Sequence, residues 1–370
     1  MQYVDIQMIE QLISKSKLKQ LRSLIDNANN IVLPCHVRPD GDAVGSTLSL
    51  MHLLTGLHKQ VRVVTPDIPP RMLTFLPGYN DVVPYSKYQE YANSLVQDAD
   101  LIIGCDFNTI SRLSDMQSVV GDSPAKKVII DHHEDPDIIA DVTFSYPDMS
   151  STCELVFRIL CALDMFEELK TNLDAATCLC TGIITDTRNL SVNTGHLDLY
   201  DIVRELLSMG VNKRLILKET LETKSENALK LTSFALCERL KVYPSHRAAI
   251  VWLSEDDLKK FDYKKGDTEG LVNQALELRG IIYAIFLRQE KDKVRLSMRS
   301  LGSFPVNKMC SEHFGGGGHL QAAGGDFIGT PGECIARLET IMPAYDEESA
   351  RAAQSLSREG YLLVELIRFV

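Results

Sequence analysis

Within IVLPCHVRPDGDAVGS, residues 31–46, an imidazole and two carboxylates are crowded into seven positions: His36, Asp40 and Asp42. Acceptor groups this close repel one another unless something positive lies between them, and a divalent metal ion is the natural candidate. The same letters also spell a Pro-Asp-Gly turn with an aspartate helix cap, so this stretch alone leaves a metal site and a plain turn both open. Arg38 offers no lone pair to a metal and is assigned to substrate or to a neighbouring carboxylate.

The elements that must position these groups are visible around them. Ile31 to Cys35 is an apolar run of strand length, and Val44, Leu48, Met51 and Leu54 recur at helical spacing, so the segment reads as strand, loop and helix. Three more apolar segments end the same way: DLIIGCD at Asp106, KVIIDHH at Asp131, His132 and His133, and AATCLCTGIITDT at Asp186. The last is helix or strand; periodicity does not decide. In an open α/β sheet, ligands bind at the carboxyl ends of parallel strands, so these polar ends are expected to gather along one edge. Taken singly, Asp106 or Asp186 reads as a helix cap and His132 as a core histidine; their recurrence at the ends of apolar runs favours convergence.

Around them, residues 5–28 carry a leading helical pattern (Ile9, Leu12, Ile13, Leu21, Leu24, Ile25), 61–67 a strand, and 151–164 a helix. Residues 215–240 are charged and amphipathic with no interior Gly or Pro, and are expected to form one connector helix. A second domain then opens with a strand at Ala248–Leu253 and a helix near Thr268–Leu278, with Ser254 and Thr268 as caps. Strands follow at 281–288 and 293–300. In the latter, Val294, Leu296 and Met298 alternate with Arg295, Ser297 and Arg299, so one face packs inward and the other presents two guanidinium groups and a hydroxyl. From Arg279 to Lys308 there are seven basic residues against two acidic ones, counter to the overall charge.

HFGGGGHLQAAGG at 313–325 adds Gly315, Gly316, Gly317, Gly318 and His319. Open N–H groups of such a run can cradle a phosphate, with Ala322, Ala323 and Gly324 suiting a tight helix start; a loose loop or hairpin turn is the alternative. Residues 346–370 read as a short helix and an apolar tail, GYLLVELIRFV, without a functional account.

Composition bounds the rest. At 370 residues two domains are expected, divided as 1–214, the connector 215–240, 241–345 and the tail 346–370. The 45% hydrophobic and 24% charged content is that of a soluble globular protein. No run approaches the roughly 20 apolar residues of a membrane span, and the first residues lack the order of a secretory signal. Nine cysteines scattered through apolar segments point to reduced thiols and a cytoplasmic location. A net charge of −11 argues against wrapping long duplex nucleic acid but not against a short phosphorylated ligand in a basic pocket.

HVRPDGDAVGS, GCD, DHH and TGIITD, in that order, resemble the four motifs of the DHH phosphoesterase superfamily, which includes RecJ-type nucleases and manganese inorganic pyrophosphatases. VRLSMRS with GGGGHLQAAGG resembles the DHHA1 domain of one branch, and together the motifs span about residues 30–325. The order and length are similar to the nanoRNase (oligoribonuclease and pAp phosphatase) group and to exopolyphosphatase-related proteins.

The resemblance implies an α/β fold: a DHH domain with a mainly parallel sheet flanked by helices, and a smaller α/β DHHA1 domain with a mixed sheet. It implies two divalent metal ions, Mn²⁺ foremost and Mg²⁺ as the alternative. His36, Asp40 and Asp106 would hold one, and Asp42, Asp106, His132 and Asp186 the other. Asp106 would bridge, His133 would touch the scissile phosphate or protonate the leaving oxygen, and Asp131 would orient an imidazole. Arg295, Ser297, Arg299, the glycines and His319 would bind a terminal phosphate or nucleotide, so that the cleft between domains measures a short substrate.

The expected function is hydrolysis of short oligoribonucleotides, of 3′-phosphoadenosine 5′-phosphate, or of both, by in-line attack of water. The alternatives are an exopolyphosphatase or pyrophosphatase, a phosphodiesterase for cyclic or linear dinucleotides, and a non-catalytic nucleotide sensor. A homodimer is left open.

Overall fold

The computed structural model describes residues 13–134, 136–192 and 194–358. The chain divides into two compact units, Met1–Thr223 and Lys224–Val370.

The first unit is built on six parallel strands: β1 (Asn30–Pro34), β2 (Gln60–Thr65), β3 (Val83–Pro84), β4 (Leu101–Cys105), β5 (Lys126–Asp131) and β6 (Val142–Ser145). Their order is β3-β2-β1-β4-β5-β6. The sheet is covered on both faces, which is why its strands read as continuous apolar runs rather than alternations. Ile31 and Leu33 of β1, Leu101 and Ile103 of β4, and Val128 and Ile130 of β5 enter one core. The residues between them, Val32, Ile102 and Ile129, enter the other.

The first core is filled by helices α1 (Lys15–Asn27), α2 (Gly41–Gly56), α3 (Thr152–Ala162) and α4 (Leu173–Asp186), with α5 (Asp198–Ser208) beyond them. The leading helix is thus seen over Lys15–Asn27, while 5–12 lies outside the described residues. The undecided segment 175–187 is helical, so Asp186 arrives at the end of a helix and not of a strand. α4 packs tightly against both α2 and α3 because Gly182 has no side chain: a Cβ there would lie 2.2 Å from Cys153 Sγ of α3 and 2.8 Å from Asp42 Oδ1 of α2.

The single helix expected over 215–240 is instead broken. A helix at Lys213–Leu217 continues as one π-turn over Lys218–Glu222, Thr223 is extended, and a new helix runs over Glu226–Glu238. Ser225 makes the break, because its side chain accepts from the Ala228 N–H as an N-cap. A serine in mid-pattern was the missed signal.

The second unit carries a mixed sheet of β7 (Leu240–Tyr243), β8 (Ala248–Leu253), β9 (Tyr283–Glu290), β10 (Lys293–Ser300), β11 (Gly317–His319) and β12 (Ala322–Ile328), in the order β11-β12-β10-β9-β8-β7. Only β8 and β9 run parallel. Ser254 caps Glu255–Lys260 in a reciprocal capping box with Asp257, as expected. Thr268 caps nothing; the next helix is Leu271–Leu276, entered from left-handed Gly270. Ala322–Gly324 lie in β12, not in a helix start. Residues 346–358 form the expected helix, and 359–370 lie outside the described residues. Among the described residues no helix is long and apolar enough to cross a membrane.

Candidate metal centre

The order of the first sheet reverses direction between β1 and β4, and at such a switch point the loops leaving two adjacent strands diverge and open a crevice. His36 follows β1, Asp106 follows β4, and Asp131, His132 and His133 come at the end of β5. Asp40 and Asp42 sit at the start of α2, and Asp186 ends α4. All eight residues expected to converge in the first unit do so.

Three trios of donors each lie within 4.8 Å: His36, Asp40 and Asp106; Asp42, His132 and Asp186; and Asp106, His132 and His133. His36 Nε2 is 3.2 Å from Asp106 Oδ2 and 3.9 Å from Asp40 Oδ2. His132 Nε2 is 3.4 Å from Asp186, 3.6 Å from Asp106 and 3.9 Å from Asp42. Both ring orientations are fixed from behind. His36 Nδ1 bonds the Val37 carbonyl at 2.8 Å and His132 Nδ1 bonds that of Met149 at 3.2 Å. A carbonyl only accepts, so a ring proton sits on Nδ1 of each, and Nε2 of each is the nitrogen that faces the acids.

The cap and the cluster are compatible. Asp40 Oδ1 accepts from the N–H groups of Asp42 and Ala43, capping α2, while its Oδ2 faces His36. Asp106 occupies a left-handed backbone position at φ 66°, a strained choice for a residue other than glycine and one found preferentially at functional sites.

The charges of the cluster conflict. Burial opposes a charge on His36, yet its hydrogen bond to Asp106 and the charges of Asp40 and Asp106 push its pKa up to about 9. Burial, and then the Asp106 charge, push Asp42 up to about 7. Asp186 is raised by burial and by Asp42, Asp40 and Asp106. Asp106 alone stays well below the usual carboxylate range: burial resists ionisation, but the His36 hydrogen bond and the three imidazoles outweigh it. The acids therefore do not all ionise together without added positive charge. Oxygen and imidazole donors, with no thiolate among them, fit a hard divalent cation such as Mn²⁺ or Mg²⁺.

His133 is oriented differently. Its Nδ1 lies 2.8 Å from Asp131 Oδ1, its N–H bonds Asp131 Oδ2 at 3.0 Å, and Arg112 donates to its Nε2 at 2.9 Å. Arg38 stands apart: it is exposed, and its N–H bonds Asp67.

In the second unit Arg295, Ser297 and Arg299 line the half-exposed face of β10, above buried Val294, Leu296 and Met298. The glycine run is a hairpin arm. Gly315 is the left-handed cap of Val306–Phe314, and Gly317–His319 form edge strand β11 against β12. Glycine is demanded at Gly316, where a Cβ would lie 1.9 Å from the Gly324 carbonyl oxygen, and at Gly318, with φ 142°. Strand register sets Arg299, Ala322 and His319 abreast, and likewise Ser297, Gly324 and Gly317. The small residues of β12 thus leave a shallow floor between the β10 row and β11. Arg295 is partly engaged, with Nε 3.7 Å from Asp326.

The DHH family N-terminal domain matches residues 30–183. The solved structure of an exopolyphosphatase-related protein from Bacteroides fragilis is 38% identical, with a TM-score of 0.89, over 92% of this chain and 99% of that one. The chain belongs to the DHH family. This DHH chain is also 28% identical to the bifunctional oligoribonuclease and PAP phosphatase NrnA of Bacillus subtilis, over 90% of its own length and all of that protein's. It is 26% identical to the cyclic-di-AMP phosphodiesterase PdeA of Listeria monocytogenes, over 82% of its own length and 45% of that protein's.

The motifs of the DHH family do not include everything that contacts the cluster. Thr152 and Cys153 donate their N–H groups to Asp42 at 2.6 and 2.8 Å, and Thr152 Oγ1 donates to Asp106 at 3.1 Å. These contacts sit at the first turn of α3, whose SST start was a readable helix-cap signal. Arg112, in FNTISRLSD, offered no signal at all.

Proposed function

We propose that the chain is a phosphoester hydrolase acting on short oligoribonucleotides and on 3′-phosphoadenosine 5′-phosphate, in the cytoplasm. The observation that carries this reading is the convergence of His36, Asp40, Asp42, Asp106, His132 and Asp186 at the switch point. It is supported by the full-length similarity to a protein named for both activities.

Two divalent cations, Mn²⁺ before Mg²⁺, would be held as the motifs imply: one by His36, Asp40 and Asp106, the other by Asp42, Asp106, His132 and Asp186. Bound there, they would neutralise the carboxylates and supply an acidified water and charge stabilisation for in-line attack at phosphorus. His133 is held by buried Asp131 so that its far nitrogen points to Arg112; it is the proton donor to the leaving oxygen, and Arg112 a phosphate contact. Arg38 reaches outward toward substrate. In the 241–345 domain, Arg295, Ser297, Arg299, the N–H groups of Gly315–Gly318 and His319 bind the terminal phosphate or nucleotide.

The test is a side-by-side assay. Purified protein with Mn²⁺ is offered a dinucleotide, 3′-phosphoadenosine 5′-phosphate, a cyclic dinucleotide, polyphosphate and pyrophosphate. Turnover of the first two is expected. Turnover of polyphosphate without any nucleotide would favour the second reading, a phosphoanhydride hydrolase, which the similarity to an exopolyphosphatase-related protein supports. Nucleotide binding without turnover would make the chain a sensor.

A further inference from the structure

Segment Met149–Cys153 touches the cluster at four points: the Met149 carbonyl on His132, the Thr152 and Cys153 N–H groups on Asp42, and the Thr152 hydroxyl on Asp106. It thus sets the direction of one imidazole and two carboxylates that arrive from three other elements. What holds this segment lies behind it. The Glu154 N–H donates to Ser151 Oγ at 3.0 Å, and Glu154 Oε2 accepts the Ser150 N–H at 2.8 Å. Glu154 Oε1 in turn accepts from Arg158 Nε at 2.9 Å, and Arg158 Nη1 donates to Asp198 Oδ2 at 2.6 Å. Asp198 begins α5, the first described helix beyond Asp186.

Glu154 and Arg158 are both 0% exposed, and Arg158 is the largest fully buried side chain in the described chain. Taking a carboxylate and a guanidinium out of water costs about as much as their attraction returns, and well-packed apolar residues of equal volume are often no less stable. Stability alone therefore does not account for an ion network at this place. Its position does: the links from Asp198 through Arg158 and Glu154 reach Ser150 and Ser151, in the middle of the segment whose Met149, Thr152 and Cys153 touch the metal cluster.

We propose that Glu154, Arg158 and Asp198 form a positioning network for the metal centre, clamping Met149–Cys153 so that His132 and Asp42 keep their donor atoms aimed at a shared cation. The inference rests on the metal reading of the site given above. None of the three residues meets substrate or metal; each acts through the segment it holds.

Two variants test it. Glu154→Gln with Arg158→Met removes both buried charges at nearly constant volume. Asp198→Asn, at the partly exposed end of the network, is mild enough to fold if the double variant does not. Mn²⁺ binding to metal-stripped protein is measured by calorimetry, beside the thermal midpoint of the metal-free protein and the kcat and KM for a dinucleotide. The double variant is expected to lose about 10- to 100-fold in Mn²⁺ affinity, with a metal-free midpoint no lower than the parent's. Its KM should be unchanged and its kcat restored by excess Mn²⁺; Asp198→Asn should shift affinity in the same direction. Parental Mn²⁺ affinity in the folded variants, or a kcat that excess Mn²⁺ does not restore, overturns the network's role and leaves the proposed function standing. Absence of Mn²⁺ binding in the parent chain overturns both.

Discussion

Arg112 donates a hydrogen bond to Nε2 of His133 at 2.9 Å. A guanidinium has no acceptor, so Nε2 offers its lone pair and the ring's proton lies on Nδ1, aimed at Asp131. Arg112 thus occupies the nitrogen from which His133, as the proposed proton donor, would act. An arriving phosphate would draw the guanidinium to itself and free that nitrogen to take up a proton from water, which it would then pass to the leaving oxygen. Arg112→Met is accordingly expected to raise KM by about tenfold or more, the worth of a hydrogen bond to a charged group. Steady-state kinetics on a dinucleotide, with kcat and KM resolved, checks this.

His133 also falls within reach of Asp106 and His132 as a possible third ligand set. The proton-donor role and the ligand role make different predictions. His133→Ala should lower kcat by roughly 10²- to 10⁴-fold while leaving Mn²⁺ affinity as it was. A loss of Mn²⁺ affinity in calorimetry would make His133 a ligand instead.

Gly182 leaves room for the Asp42 carboxylate, 2.8 Å from where a Cβ would stand. Neither α4 nor the buried Cys153 thiol can retreat cheaply. Gly182→Ala is expected to destabilise the protein by about 1–3 kcal/mol through overpacking and to weaken Mn²⁺ binding by turning Asp42. Chemical denaturation and metal titration on the same preparation separate the two effects.

Arg299→Ala should raise KM for 3′-phosphoadenosine 5′-phosphate and leave pyrophosphate cleavage, if present, unchanged. Equal effects on both substrates would remove Arg299 from nucleotide recognition.

One pH dependence is independent of metal. Burial works against ionised Asp257, but Arg239, with two contacts of 3.0 Å, and Ser254 outweigh it and hold its pKa below the ordinary 3.8. A carboxyl with a lowered folded pKa stabilises above its unfolded pKa, and that stability fades as the pH falls through the folded value. Asp257→Asn, which keeps an acceptor for the Ser254 N–H but loses the charge and one Arg239 contact, should cost about 1 kcal/mol at pH 7. The gap to the parent should close as the pH is taken below 3.8. Urea denaturation across this range measures it.

The strand ends were legible because a strand buried on both faces has to stop being apolar where it leaves the sheet, and the change of letters at His36, Asp106 and Asp131 is abrupt. Asp186 was legible as a ligand candidate although its element was not, since a fully buried helix and a buried strand share one composition. Alternation along 293–300 read directly as a half-exposed strand. Ser225 went unread because capping is a local side-chain choice inside a strong periodic pattern. Arg112 and the backbone donors of Thr152 and Cys153 could not be read, as their meaning lies in contacts 21 to 111 residues distant. The glycine run was read for its N–H groups, whereas Gly316 and Gly318 are required by the close approach of β12.

The switch-point sheet also bears on how the protein is made. His36, Asp106, His132 and Asp186 come from four elements joined by long crossover connections, so the full set of donors comes together only in the folded unit. A cation that binds this cluster recognises the folded unit and has little hold on the unfolded chain. At 100 times its dissociation constant such a cation adds about 2.7 kcal/mol to the stability of the folded unit. The supply of such a cation would then set the lifetime of the folded chain as well as its turnover.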